Sequence, residues 1–347
     1  MRRLPIYFLV DVSESMVGTP IEQVQEGMRT IIQNLRVDPY ALETVFVSII
    51  AFAGKAKQLS PLTELYKFYP PTFPIGGGTS LGVALDALMT DLDTSIQKTT
   101  MEQKGDWKPI IFLFTDGNPT DDYQAAFHRW NEKYRKHCSL IAISLGDNLN
   151  VSILAQITKD VLLLKDTDQE SLSKFFKWVT ASIQTTSMSV NDLNIDEVKL
   201  APTTGINLEK VDLNERRCVV DENFVVLHGR CQTTKNEYLV KYAKRSKPLP
   251  GVEMFSSTDF KLVGAYPVDK ESYASLSAGR PSKINAMELV GAPACPCCGN
   301  QLGVVVCDCG GIFCVGDDSN NECPWCGLKG ELGHGGPEGF DITRGIG

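Results

Sequence analysis

The sequence predicts an α/β fold, in which a doubly wound and mostly parallel sheet is followed by a small β-rich region and a cysteine-rich domain. Up to about residue 186, short apolar runs alternate with amphipathic stretches, as in βαβ units whose sheet is covered on both faces. Further along, eight of the eleven cysteines fall between Cys295 and Cys326. We therefore expect a first domain over 1–186, a linker and β-rich module over 187–280, and a cysteine-rich domain with an irregular tail over 281–347.

Each element of the first domain is predicted from its local pattern. Buried strands are predicted where apolar or β-branched residues run together, at 6–10, 44–52, 109–114, 139–145 and 161–164. Helices are predicted where apolar residues recur every three or four positions, at 20–35, 80–92, 121–136 and 168–182. Thr19 is the expected N-cap of the first helix, because Pro20 suits the first helical turn. In the β-rich module, antiparallel strands are predicted at 223–227 and 238–242.

The composition excludes several classes of protein. With 43% hydrophobic and 22% charged residues, the chain has enough apolar side chains to fold. The 42 acidic residues outnumber the 34 basic ones, so the basic excess of a general nucleic-acid binder is missing. No apolar run reaches the ~20 residues that a membrane span needs, and Asp11 interrupts the apolar stretch near the start. We expect a cytoplasmic protein without a membrane anchor, in a reducing compartment that keeps cysteines free of disulfides.

Three segments with oxygen-bearing side chains follow predicted strands or open a helix. Asp11, Ser13 and Ser15 come directly after the first strand. Thr79 lies in a glycine-rich loop before a helix, and Asp116 follows the third predicted strand. Because the carboxyl ends of parallel strands meet at one edge of a sheet, we expect these side chains to converge. Their hard oxygens suit Mg²⁺, Mn²⁺ or Ca²⁺, and with only two carboxylates the ion keeps a coordination position for an acidic residue of a partner.

The acidic residues beside these segments have simpler interpretations. Glu14 lies between two expected ligands, and we expect its side chain to point away into solvent. Asp121 and Asp122 are expected to favour the N-terminus of the helix that follows them, because a negative charge is stabilised there.

A metal-dependent phosphohydrolase is the alternative function at this edge of the sheet. Asp11 follows a strand, as the nucleophile of a phosphotransferase would, but Ser13 stands where a second acid is expected. The P-loop pattern G-x-x-x-x-G-K-[ST] is absent from the sequence. We therefore expect a binding site and not a catalytic one.

The cysteine-rich segment contains two near copies of a C-P-x-C-G motif. Cys295 and Cys298 form the first pair, and Cys323 and Cys326 form the second. Two thiolates at this spacing meet one tetrahedral ion, and the glycine permits a tight turn. The favoured assignment is one Zn²⁺ held by these four cysteines in a zinc-ribbon-like domain. Such a closed site stabilises the fold and leaves no position for catalysis.

The remaining cysteines leave the zinc assignment open. A second Zn²⁺ is the alternative, and its ligands would be Cys307, Cys309 and Cys314, with Cys297 or His334 as a fourth. In another pairing, the first motif joins Cys309 and Cys314. Three further cysteines are expected to be buried free thiols, namely Cys138, Cys218 and Cys231. A regulator that senses zinc or redox state through this cluster is therefore a further alternative function.

The oxygen-bearing segments resemble the metal-ion-dependent adhesion site of von Willebrand factor A domains, in the pattern Asp11-x-Ser13-x-Ser15, Thr79 and Asp116. This resemblance spans roughly residues 4–186 and implies a Rossmann-like domain that captures an acidic partner residue through its cation. With the cysteine motifs added, the chain resembles the TerY family of bacterial tellurite-resistance proteins. That resemblance implies a cytoplasmic stress-response role beside a Ser/Thr kinase and a metal-dependent protein phosphatase. We expect a non-enzymatic scaffold in phosphorylation signalling.

Overall fold

The computed structural model describes residues 2–101, 104–116, 118–145, 151–164, 169–189, 201–202, 208–210, 224–248, 256–276, 282–316, 321–329 and 339–345. Cys218 and His334 lie outside these ranges, so the expectations for them stay predictions. The described residues form two sheets of six and seven strands and a separate two-stranded ribbon.

The first sheet confirms the predicted fold class. Its strands are β1 (Leu4–Asp11), β2 (Val45–Phe52), β3 (Ala56–Glu64), β4 (Ile110–Thr115), β5 (Ser139–Leu145), β6 (Asp160–Leu164) and β7 (Leu208–Lys210). They lie in the order β3-β2-β1-β4-β5-β6-β7. The five central strands are parallel, and β3 and β7 pair antiparallel at the two edges. The carboxyl ends of β1 and β4, where the oxygen-bearing segments begin, are therefore neighbours.

Helices cover both faces of this sheet. They are α1 (Thr19–Arg36), α2 (Pro39–Thr44), α3 (Leu81–Ser95), α4 (Gln124–Arg129), α5 (Val151–Leu154) and α6 (Gln169–Ser189), and α4 continues as a π-helical turn over Trp130–Tyr134. One face packs α1 and α6 against Phe8 and Phe114, and the other packs α3 and Trp130 against Tyr7. All eight residues of β1 are buried, as a strand covered on both faces requires.

The start of α1 differs by one residue from the prediction. Gly18 is the N-cap, and Thr19, the expected cap, is the first residue of the helix. Gly18 has a φ of 84°, a backbone conformation that glycine adopts without steric cost. The 3₁₀ turn Glu14–Met16 fills the short distance between β1 and this cap.

The second sheet joins the two segments that the sequence analysis treats separately. Beyond β7 the elements are β8 (Phe224–Arg230), β9 (Glu237–Pro248), β10 (Ser256–Pro267), α7 (Lys270–Leu276), β11 (Ser282–Asn285), β12 (Leu289–Val290), β13 (Leu302–Val306), β14 (Ile312–Val315) and β15 (Asp341–Arg344). The sheet order is β12-β10-β9-β8-β14-β13, so strands from both sides of residue 280 share one sheet. The tail, expected to be irregular, contributes β15, which pairs with β11.

Among the helices that the structure describes, none combines the length and the apolar character needed to cross a membrane.

Candidate metal centres

The first centre lies where β1 and β4 end. The hydroxyls of Ser13 and Ser15 are 2.9 Å apart, and Ser15 Oγ donates a 2.7 Å hydrogen bond to Asp116 Oδ1. The backbone N–H of Ser13 donates to Asp11 Oδ1 at 2.9 Å, which fixes that carboxylate beside the loop. The structure thus brings together four of the five side chains that the sequence analysis assigns to a divalent cation.

The spacing of these oxygens fits an octahedral cation. Adjacent ligands of an ion with bonds of about 2.1 Å lie about 3.0 Å apart. The separations of Ser15 Oγ from Ser13 Oγ and Asp116 Oδ1, at 2.9 and 2.7 Å, are close to that value. Asp11, Ser13 and Ser15 are almost completely buried, whereas Asp116 is partly exposed. Access from solvent is therefore on the side of Asp116.

Thr115 is a contributor that the sequence analysis missed. Its hydroxyl donates a 2.6 Å hydrogen bond to Asp11 Oδ2, the oxygen that does not face Ser13. Burial, together with the nearby charge of Asp116, raises the pKa of Asp11 to about 7. A cation placed among these groups would offset both effects, because it stabilises ionised carboxylates.

Thr79 is buried in the glycine-rich loop, and backbone contacts hold that loop against both neighbours. The N–H of Gly76 donates to the carbonyl of Val12 at 2.8 Å. On the other side, Thr79 N donates to Thr120 Oγ1 at 2.9 Å, and Thr120 N donates back to the Thr79 carbonyl at 2.8 Å. The loop therefore bridges the segments that follow β1 and β4. Coordination by the Thr79 hydroxyl stays a prediction.

Asp121 serves a different helix from the one expected. Its Oδ2 accepts a 3.1 Å hydrogen bond from the N–H of Val83, in the first turn of α3 and not of α4. Burial raises the pKa of this carboxyl. Asp122 does contact the start of α4, where its Oδ1 accepts from Gln124 N at 3.3 Å. Both acids thus stabilise helix ends.

Glu14 is buried, contrary to the expectation that it is solvated. Its side chain lies under the second sheet and accepts a hydrogen bond from the hydroxyl of Tyr273 in α7. Next to it, the buried Lys241 ammonium donates to the carbonyl of Ser15. Val17 completes the contact by packing against Tyr273 and Val226. The C-terminal sheet therefore covers the loop that carries the serine ligands, which a sequence pattern within the first domain does not reveal.

The second and third centres are two groups of four cysteines. The first cysteine group comprises Cys231, Cys295, Cys298 and Cys314, and the second cysteine group comprises Cys307, Cys309, Cys323 and Cys326. Within each group all sulfur atoms lie within 4.8 Å of one another. This placement corrects the favoured assignment, because Cys295 and Cys298 lie in a different group from Cys323 and Cys326.

The sulfur separations fit tetrahedral zinc. A tetrahedron with Zn–S bonds of ~2.3 Å has edges of about 3.8 Å. In the first group, Cys314 Sγ lies 3.7 Å from Cys298 Sγ and 3.8 Å from Cys231 Sγ. In the second group, the Cys307–Cys326 and Cys309–Cys323 separations are 3.7 and 3.8 Å. Each group therefore matches one Zn²⁺ with four thiolate ligands.

Cys231 belongs to a turn that repeats the two cysteine motifs. In the motifs, Cys295 N donates to the carbonyl five residues ahead, and Gly299 N donates to the Cys295 carbonyl; Cys323 and Gly327 repeat this. Cys231 makes the same pair of hydrogen bonds with Asn236 and Lys235, at 2.8 and 3.0 Å. Lys235 has a φ of 60°, the conformation that the glycines adopt in the motifs. The sequence analysis missed this ligand because lysine replaces glycine and the second cysteine is absent.

The two groups differ in burial. In the first, three of the four cysteines are buried in the core of the second sheet, and in the second only Cys323 is buried. Cys309 and Cys326 are exposed to solvent. Burial acts against ionisation of Cys231, but hydrogen bonds donated by Thr234 lower its pKa to about 6; burial raises the pKa of Cys314 to about 11. One thiol of the first group thus ionises readily before an ion binds.

Comparison with known protein families matches two separate parts of the chain. Residues 6–178 match the family model of the von Willebrand factor type A domain. Residues 221–347 match the model described as the TerY-C metal binding domain. The second match includes the β8–β10 strands as well as both cysteine groups, in agreement with the shared sheet.

Alignments with curated relatives cover less than half of the chain. Human inter-alpha-trypsin inhibitor heavy chain H6 is 24% identical over 159 residues, which are 44% of this chain and 12% of that protein. Heavy chain H1 from Bos taurus is 26% identical over 118 residues, 33% of this chain and 13% of that protein. The alignments therefore span about an eighth of the length of these relatives.

Solved structures are more remote. The PilB minor pilin from Streptococcus sanguinis has 14% identity and a TM-score of 0.41, with 55% of this chain and 63% of that chain covered. A von Willebrand factor type A protein from Catenulispora acidiphila has 14% identity and a TM-score of 0.41, with 82% of this chain and 61% of that chain covered. Mussel proximal thread matrix protein 1, described with a zinc occupied MIDAS motif, has 17% identity and a TM-score of 0.39, with 54% of this chain and 46% of that chain covered.

Proposed function

We propose that this chain is a non-enzymatic protein-binding module whose affinity for its partner depends on a bound divalent cation. The chain is a TerY-like protein, in which a von Willebrand factor type A domain precedes a TerY-C metal binding domain. Asp11, Ser13, Ser15, Thr79 and Asp116 would hold Mg²⁺. An acidic residue of a partner would complete its coordination sphere.

The observation that carries this proposal is the arrangement of oxygens at the end of β1. The Ser15 hydroxyl lies within hydrogen-bond distance of both the Ser13 hydroxyl and Asp116, at spacings that suit an octahedral ion. Hydroxyl ligands neutralise less of the charge of a cation than carboxylates do, so the ion attracts a further carboxylate. Asp116 is the member of this set that reaches solvent, and the partner would approach beside it.

The partners are proposed from the family resemblance. A Ser/Thr kinase and a metal-dependent protein phosphatase are the proteins beside which TerY-like chains are expected to act. The acidic residue that binds the cation would lie on one of them. We propose a cytoplasmic role in a tellurite-type stress response, in which this chain holds signalling enzymes together and catalyses no reaction itself.

The two cysteine groups would each hold one Zn²⁺ with a structural role. Four thiolates close the coordination sphere and leave no position for a water or a substrate. The ions would fix the turns at Cys231, Cys295, Cys307 and Cys323 to the second sheet, whose core is small.

Capture of partners with and without Mg²⁺ tests this function. The immobilised chain is dialysed without chelator, so that thiolate-bound zinc is retained, and is then incubated with bacterial lysate with or without Mg²⁺. We expect a kinase or phosphatase to be retained only with Mg²⁺. Asp116→Asn should abolish retention, whereas Asp122→Asn, which alters an exposed acid of the same loop, should not.

The outcome that contradicts the proposal is equal retention with and without Mg²⁺. The phosphohydrolase alternative would be supported instead by turnover of a generic phosphoester that is lost in Asp11→Asn. Asp11→Asn preserves the size of the side chain, so that a loss of turnover would report the missing charge.

A further inference from the structure

The cation loop is held by residues of the other domain. Tyr273 donates a hydrogen bond to the carboxylate of Glu14, which lies in sequence between the two serine ligands. Lys241 donates to the carbonyl of Ser15 itself. Glu14 is fully buried and Lys241 is only 4% exposed, so water cannot readily replace these contacts. The conformation of the loop is therefore tied to the position of the second sheet.

Tyr273 is linked to the second cysteine group through two further aromatic rings. Its ring lies against that of His228, with centroids 4.7 Å apart. His228 also meets the ring of Trp325 edge-on, at 5.4 Å between centroids. Trp325 stands between Cys323 and Cys326, two of the four thiols of that group. A continuous series of ring contacts thus joins a zinc turn to the cation loop.

Further contacts fix Trp325 in place. Its indole N–H donates a 2.7 Å hydrogen bond to the carbonyl of Ile312, and the guanidinium of Arg230 lies 4.4 Å from the ring centroid. Arg230 also donates to the carbonyl of Pro324 at 3.2 Å. Because residues 324 and 325 belong to the turn itself, a change in its conformation must move the ring or break these contacts.

We propose that Tyr273 is a positioning residue of the cation site and that Zn²⁺ in the Cys307–Cys309–Cys323–Cys326 group raises the affinity of that site for a divalent cation through it. The inference rests on the proposed function only in that a cation binds at Asp11. Zinc fixes the turn, the turn fixes Trp325, and the rings hold the Tyr273 hydroxyl against Glu14. Without zinc the turn loosens, and the two serine ligands lose a buried constraint on the loop between them.

Binding of Mn²⁺, followed by electron paramagnetic resonance, measures this coupling in the zinc-loaded full chain. Tyr273→Phe removes one hydroxyl and keeps the ring, and Trp325→Ala removes the ring by which the zinc turn contacts His228. We expect each variant to bind Mn²⁺ roughly tenfold more weakly than the wild type, a common size for coupling between two sites. The double variant should be no weaker than either single variant, because both changes interrupt the same series of contacts.

Tyr242→Phe is the matched control. It removes a hydroxyl from β9 of the second sheet, one that donates to the carbonyl of Gly291 at 3.1 Å, away from the cation loop. Its Mn²⁺ affinity should equal that of the wild type. Zinc content and circular dichroism establish that each variant is folded and loaded.

The reverse measurement needs no variant. Co²⁺ substituted for zinc reports thiolate ligation through its charge-transfer absorption. Saturating Mg²⁺ should raise the affinity of Co²⁺ for the second cysteine group. The factor should equal the one by which metal in that group raises the affinity of the cation site, because coupling between binding equilibria is reciprocal. A fold defect caused by a substitution cannot produce this result.

The outcomes separate this inference from the proposed function. Wild-type Mn²⁺ affinity in Tyr273→Phe, or Co²⁺ affinity unchanged by Mg²⁺, overturns the coupling while cation binding stands. Absence of Mn²⁺ binding in the wild type overturns both.

Discussion

Replacement of Cys231 tests the structure at the point where it departs most from the sequence prediction. The thiol of Cys231 is fully buried and lies 3.8 Å from Cys314 Sγ, inside the first cysteine group. Cys297 lies between two members of that group in sequence, but it is not one of the four. Cys231→Ser should therefore remove a zinc ligand, and Cys297→Ser should not.

The expected loss is large. A structural zinc site contributes an apparent binding free energy of about 10–16 kcal/mol, so an equal share for one of four thiolates is about 2.5–4 kcal/mol. That free energy corresponds to a loss of roughly 100- to 1,000-fold in zinc affinity. The turn at Cys231 joins β8 to β9, in the centre of the second sheet, so the thermal stability of the zinc-loaded protein should fall as well.

Zinc content and competition with a chromogenic chelator measure the effect. The wild type and Cys297→Ser should carry two Zn²⁺ per chain, and Cys231→Ser should retain one after mild competition. Two tightly held ions in Cys231→Ser, with one lost from Cys297→Ser, would refute the ligand set and would return Cys297 to the assignment considered from the sequence.

Further predictions concern the other centres and the core of the first domain. Thr115→Val should weaken Mg²⁺ binding about tenfold in calorimetry, because Asp11 loses a buried hydrogen bond to a charged group; unchanged affinity would contradict this role. The pKa of Asp11 in the metal-free folded protein is about 7, above its ordinary value of 3.8. The contribution of Asp11 to the free energy of unfolding is therefore present at low pH and is lost as pH rises from about 4 through 7. Urea unfolding of metal-free wild type and Asp11→Asn should therefore diverge over that range, and Mg²⁺ should reduce the divergence. Mild oxidant should release zinc in two phases, the first from the exposed group, so that Cys309→Ser removes the fast phase and Cys231→Ser the slow one. Gly27→Leu should lower the free energy of unfolding by about 2 kcal/mol or more, because a side chain there overlaps the ring of Phe176.

The fold of the first domain was accessible from the sequence because its signals are local. The apolar runs at Ile6–Val10 and Ile110–Phe114 have no polar alternation, and a strand buried on both faces produces that pattern. The ligand segments follow these strands directly, so topology alone brings Asp11 and Asp116 together. The edge strand β3 was missed because it is half-exposed and contains Pro61, which weakens a strand signal.

The remaining errors concern contacts between distant parts of the chain. Glu14 reads as a surface acid in its own loop, and contacts with residues far along the sequence, Tyr273 among them, make it a buried one. The pairing of cysteines depends on how β8 and β14 lie side by side, which motif spacing does not encode. Cys231 lacks the local motif altogether, although its turn has the same hydrogen bonds as the motifs.

The cover over the cation loop also has a consequence for biosynthesis. The ribosome completes the first domain well before it reaches Lys241 and Tyr273, so for that interval the nascent loop has neither of its two buried donors. Glu14 must stay hydrated during translation and can be enclosed only when the later sheet has formed. A product that terminates before residue 241 would lack both of these contacts, so the enclosure of Glu14 can only follow the synthesis of Lys241 and Tyr273.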